Sequence, residues 1–345
     1  MVRHVAMSDR SLHCRPSGDC VRCGGMSRSS SLPPVSSVPL DTPAASLVLL
    51  TAALWGGTPV AIRFASESFP PVTMAGLRFV IAAGFMLIWC RFERTELRLR
   101  RDQLIWAMGL AVILFLQISA FNVGVVLSNS SHGAMLINTF VFWVVALEHL
   151  VTRTDQLTLR KLLGLVVAAA GVVLILTVDQ AGSVDESVHR DNPSVTGDLV
   201  LILSAALLAI RIIYTKRALA VMETGKLIFW QDILGVWLFL GYAFAWESFR
   251  PADVAPAALW GLLYQGLVVA GFCFAMHARL LRKHSASRLA VFSFTTPLFG
   301  VLLANGLRGD RLSPWLLVSA ACVAVGIYLV NTGRQRPGSR LPTGS

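Results

Sequence analysis

Apolar runs of about 20 residues recur along this chain, separated by short polar or basic stretches, and each is long enough to cross roughly 30 Å of hydrocarbon as a helix. Ten are read: Ser46–Ala65, Val72–Cys90, Leu104–Leu127, His132–Val151, Lys161–Val178, Gly197–Thr215, Leu227–Trp246, Ala258–Ala278, Ala286–Leu307 and Trp315–Asn331. No stretch alternates apolar and polar positions as a barrel strand would. The pattern predicts an all-α polytopic membrane protein with ten transmembrane helices.

Sliding the sequence on itself by 155 residues adds an internal order. Ser130 then falls on Ser285, Arg153 on Arg308, Asp155 on Asp310, Leu162 on Leu317 and Gly171 on Gly326. Each half holds five spans, and an odd number sends the second half into the membrane from the opposite side. An inverted 5+5 repeat results, a construction that presents one central site alternately to two faces. The expected organisation is a basic, disordered tail (1–45), a first five-helix repeat (46–178), an acidic external linker (179–196), a second repeat (197–331) and a C-terminal tail (332–345).

Composition and charge sharpen this picture. Of the 345 residues 55% are hydrophobic and only 14% charged, against about a quarter charged in soluble domains. The net charge of +11 might suggest nucleic acid, but its placement is topological. With the N-terminus inside, and Arg63, Lys161 and Arg288 at span ends counted with the adjoining side, 23 of the 30 Lys and Arg residues fall on the inner side, 5 outside and 2, Arg78 and Arg211, deeper within spans. This positive-inside bias puts both termini in the cytoplasm of a bacterial inner-membrane protein. No basic face is gathered for nucleic acid. The tail carries Cys14, Cys20 and Cys23, but one close pair falls short of the two that a structural metal site wants, so neither metal nor cofactor is expected.

The stretches "LWGGTPVAIRFA", "LRFVIAAG", "AFNVGVVLSNSSHGAML" and "TTPLFGVLLANGLRGDRL", the last followed by "AVGIYLV", resemble the EamA family of the drug/metabolite transporter superfamily. The first half departs from the pattern, since Phe142 stands where Pro297 stands in the second half. The resemblance implies a secondary transporter, most often an exporter, of a small metabolite such as an amino acid, working by alternating access about a central cavity. Its partners would be a small-molecule substrate and the bilayer, and a homo-oligomer is compatible with it. A non-transporting scaffold or receptor would show the same packing residues. A membrane-embedded enzyme would need a nucleophile–base pair or a metal triad, and the sequence offers neither.

Ionisable residues at membrane depth are costly unless paired or wetted, which makes each a candidate. Counted along the spans, Arg78, Asn122 and Asn138 fall in the outer third. Glu148, Arg211, Asp232 and His277 fall in the inner third, where Glu148 is expected to pair with Arg211, with Asp232 nearby, as a polar or coupling cluster. Trp55, Trp230 and Tyr264 are the aromatic candidates for a substrate pocket completed by Arg78, Asn122 and Asn138. Pro297 marks an expected helix break. Each has a structural alternative: Arg78 as a tie to backbone carbonyls, Arg211 as a snorkelling side chain, His149 as a wetted surface group.

Overall fold

The computed structural model describes residues 40–66, 68–127, 136–152, 157–182, 194–248, 254–299, 302 and 315–331. Among them every regular element is a helix, and each of the ten expected spans contains one. Residues 1–39 of the Cys-containing tail, 183–193 of the acidic linker and the C-terminal tail from 332 lie outside the described residues.

Span 1 is split. Asp41 caps α1 (Thr42–Gly56) by accepting from the Ala44 amide at 3.2 Å, with Pro43 in the first turn, where its missing N–H costs nothing. The helix stops at Gly57, and α2 (Thr58–Ser66) begins. Pro59 has no N–H to return to the Trp55 carbonyl, and the Leu54 carbonyl accepts from the Gly57 amide at 3.2 Å and from the Tyr264 hydroxyl at 2.6 Å. That hydroxyl is also why position 57 is a glycine: a Cβ there would lie 2.6 Å from it.

Spans 2 and 3 are the unbroken helices α3 (Pro71–Glu93) and α4 (Arg101–Leu127). The start of α3 is capped from far away, by Glu247, whose carboxylate accepts from the amides of Val72 (2.9 Å) and Thr73 (2.7 Å). Its end is Arg94, with a left-handed φ of 53°. In span 4, α5 (Phe140–Leu147) widens into a π-helical turn, Glu148–Thr152. Then come α6 (Leu159–Gly182), α7 (Val195–Ala218) and α8 (Thr224–Trp246). Span 8 is α9 (Pro256–Leu263), a ten-residue π-helix (Tyr264–Cys273) and α10 (Phe274–Leu281). Span 9 begins as α11 (Ala286–Val291) and tightens to a 3-10 turn at Phe292–Thr295; span 10 is α12 (Trp315–Asn331).

Five described helices are long and apolar enough to cross a membrane unbroken, those of spans 2, 3, 6, 7 and 8. The most extensive packing joins span 5 to span 10, span 3 to span 6, and span 2 to span 7, with α2 of span 1 against α9 of span 8. Moving every partner by five spans maps these pairs onto one another, as the duplicated fold requires. The 5–10 seam depends on small residues. A Cβ on Gly326 would sit 2.5 Å from the Gly164 carbonyl oxygen, so the two backbones touch. Large apolar side chains such as Phe92, Trp237 and Phe244 point outward, which suits lipid and would be costly in water.

Candidate functional site

A cavity of about 230 Å³ lies beside the break in span 1, the π-wound part of span 8 and the 3-10 turn of span 9. Its wall is mostly apolar, including Ile62, Ile118, Phe140, Leu208 and Phe274. Set into that wall are Trp55, Thr58, Arg78, Gln117, Asn138, Arg211, Gln231 and His277, contributed by seven different spans.

Two guanidinium groups dominate its electrostatics. Arg78, buried on α3, donates from Nη1 to the Gln265 side-chain oxygen at 3.4 Å and lies 4.9 Å from the centre of the Phe79 ring. Gln265 belongs to the π-helical segment and is anchored in turn by donating to the Ala61 carbonyl at 3.3 Å. The segment lies tightly on α3, because a Cβ on Gly266 would come within 3.0 Å of the Arg78 carbonyl. Arg211 on α7 places its guanidinium 4.8 Å above the Phe274 ring. Asp232, fully buried on α8, is the carboxylate whose charge acts on both arginines. One of its oxygens accepts from Gln231 at 3.1 Å.

Several polar atoms here have no hydrogen-bond partner within the protein: Arg78 Nε, Arg211 Nη1, His277 Nε2, Thr58 Oγ1 and Gln117 Oε1 on cavity-lining residues, and Asp232 Oδ2 beside them. Each such atom costs about 1–3 kcal/mol if left dry. Five of them belong to residues that line one cavity, which gathers unspent hydrogen-bonding capacity around it. His277 lies 5.3 Å from the Trp55 ring, and Trp55 lies edge-on to Phe274 at 6.5 Å, giving the pocket an aromatic side.

The structure redistributes the residues expected from sequence. Arg78, Asn138, Trp55, Arg211 and His277 share one cavity rather than dividing into outer and inner sets. The expected Glu148–Arg211 pair is not formed. Glu148 is paired with Lys216 at 2.7 Å and accepts from the backbone amides of Ala286 (3.0 Å) and Ser287 (2.7 Å), away from the cavity. Both charges are essentially unexposed, and the carboxylate fills the N-terminus of α11, where the helix dipole favours a negative charge. Three other candidates are used as ties and do not line the cavity. Asn122 donates to the Pro71 carbonyl (3.0 Å), the Trp230 indole to the Leu97 carbonyl (2.8 Å), and Tyr264 to Leu54. Buried amides, indoles and phenols must find partners, and backbone carbonyls freed at helix ends supply them. Pro297 is buried just beyond the 3-10 turn; the winding changes ahead of it, at Phe292, and Ser293 and Thr296 reach the cavity wall. His149 is exposed and accepts the Leu157 amide at 3.2 Å.

Sequence reasoning passed over Gln117, Gln231, Gln265, Thr58 and Lys216. The glutamines carry no charge, although an amide at membrane depth is itself a usable signal. Lys216 was placed in a loop because span 6 was ended at Thr215, whereas α7 runs on to Ala218.

The EamA-like transporter family model matches residues 42–177 and 195–332. Among similar proteins, the "uncharacterized transporter YoaV" of Bacillus subtilis (strain 168) is 21% identical over 80% of this chain and 92% of its own. The "probable amino-acid metabolite efflux pump" of Salmonella typhimurium (strain LT2) is 23% identical over 82% and 93%. The "uncharacterized inner membrane transporter YedA" of Escherichia coli (strain K12) is 26% identical over 81% and 88%. A solved crystal structure superposes with a TM-score of 0.70 at 15% identity, covering 84% of this chain and 96% of its own, a likeness of fold.

Proposed function

The chain belongs to the EamA-like transporter family, an integral membrane transporter rather than an enzyme, and we propose that it exports a small metabolite of amino-acid size by alternating access about the central cavity. The observation that carries this reading is the cavity itself: buried, mostly apolar, walled by spans from both repeats, and holding polar atoms that no protein group satisfies. Outward transport and amino-acid-like cargo are supported by the Salmonella relative named an amino-acid metabolite efflux pump. Arg78, Arg211, Asn138, His277 and Trp55 are the proposed substrate contacts. The proposed topology, both termini cytoplasmic in a bacterial inner membrane, rests on the 23-to-5 bias of basic residues.

The break in span 1 and the π-helical winding of span 8 give alternating access a physical basis, because such irregular segments can rewind while the regular pairs, spans 3–6 and 2–7, hold the frame. The test is counterflow in proteoliposomes loaded with an unlabelled pool of amino acids and the matching 2-oxo acids, following entry of the labelled compounds. The expected result is accumulation that depends on the internal pool and is lost in Arg78→Met. Accumulation indistinguishable from protein-free vesicles across the panel would contradict transport through this cavity.

A further inference from the structure

Resting on that reading of the cavity, we infer that its substrate is a small organic monoanion, recognised by a single carboxylate and carrying an apolar body without an ammonium group. The charge arrangement is the first reason. Arg78 and Arg211 bring two guanidinium groups that stay protonated, and Asp232 brings the only carboxylate acting on them among the described residues. The second buried carboxylate of the interior, Glu148, is already matched by Lys216 and the start of α11. At least one positive charge is therefore left over at the cavity, and a monoanion offsets it where a zwitterion would not.

The kind of hydrogen-bonding atom is the second reason. Arg78 Nε and Arg211 Nη1 can only donate, Thr58 Oγ1 and His277 Nε2 can donate or accept, and Gln117 Oε1 only accepts, so the fixed donors of the lining are the two guanidinium groups. A carboxylate accepts from several donors at once and suits guanidinium geometry. An ammonium needs acceptors and would stand beside two like charges. Asp232 could attract it, but that side chain is fully buried, is not part of the lining, and is already opposed by both arginines.

Shape is the third reason. The cavity of about 230 Å³ exceeds the ~150 Å³ of an apolar cavity that takes benzene. It thus accommodates an aryl or branched alkyl group with a short carboxylate arm, held among Ile62, Ile118, Leu208 and Phe274.

A matched series on one body isolates the head group: phenylpyruvate (monoanion), phenylalanine (zwitterion), phenethylamine (cation) and 2-phenylethanol (neutral). Each is tested on the purified full chain for its effect on the thermal midpoint, and by counterflow in proteoliposomes. Phenylpyruvate is expected to bind at least tenfold more tightly than phenylalanine, with phenethylamine weakest, and Arg211→Met is expected to abolish the preference. Phenylalanine binding equally or more tightly, or a preference that survives Arg211→Met, overturns the inference while leaving transport in place. Binding of phenylpyruvate without counterflow sustains the recognition but contradicts the transport reading. Failure of all four to bind overturns the substrate class.

Discussion

Two groups of buried charges in this molecule are built in opposite ways. Around Glu148, every demand is met inside the protein: Lys216 supplies the charge, and two backbone amides of α11 supply further donors. Around Arg78 and Arg211, the demands are left open, with guanidinium nitrogens lacking partners and aromatic rings rather than carboxylates as their nearest company. Both groups carry the desolvation cost of ions in a low-dielectric interior. The first recovers it from protein and can only fix the relative positions of spans 4, 6 and 9. The second can recover it only from a guest. Buried charge alone therefore does not mark a binding site in a membrane protein; unspent hydrogen-bonding capacity does.

The largest effect should come from breaking the satisfied group. Glu148→Ala strands Lys216 in a buried position and is expected to lower unfolding free energy in detergent by about 3–5 kcal/mol. Chemical denaturation checks this, and the double variant Glu148→Leu with Lys216→Met should recover much of the loss. A loss under 1 kcal/mol would dissolve the contrast. Next in size are Arg78→Met and Arg211→Met. Each removes a charge-assisted bond of about 1.5–3 kcal/mol to the substrate, so apparent affinity should fall by roughly 10- to 150-fold while the apo protein unfolds close to wild type. Gln265→Leu removes the side chain that positions Arg78 from the π-helix. It should weaken binding by about 2- to 10-fold, read in the same titration, with Gln265→Glu tightening the hold on Arg78. The smallest effect is that of His149→Ala, an exposed group far from the open charges, expected to stay within about 0.5 kcal/mol in stability and to leave flux unchanged.

How much of this was legible beforehand follows from what a sequence counts well. Runs of apolar residues and a 155-residue offset are one-dimensional signals, and they produced the ten helices and the duplicated fold. Depth is not one-dimensional. Positions counted along ideal continuous helices put Arg78 and Arg211 in different thirds of the membrane. Yet Arg78 and Arg211 stand on regular helices, α3 and α7, and their long side chains let each reach the cavity from its own level. The two arginines end on the same cavity. The mistaken partner for Glu148 came from a helix end misjudged by three residues, enough to hide Lys216 in a loop. Gln265 went unnoticed because its importance lies in what it holds, and that is visible only once two spans are packed together.

The most direct test of the contrast is one thermal-unfolding experiment on wild type, Arg78→Met and Glu148→Ala, each with and without a saturating ligand. A ligand bound only by the folded state must raise stability by RT ln(1 + [L]/Kd). The account predicts that Arg78→Met keeps the wild-type midpoint and loses the ligand's effect, whereas Glu148→Ala drops the midpoint and keeps it. The reverse pattern, a collapsed Arg78→Met and a ligand-blind but stable Glu148→Ala, would mean that the satisfied pair is the transport site and the open arginines are the scaffold.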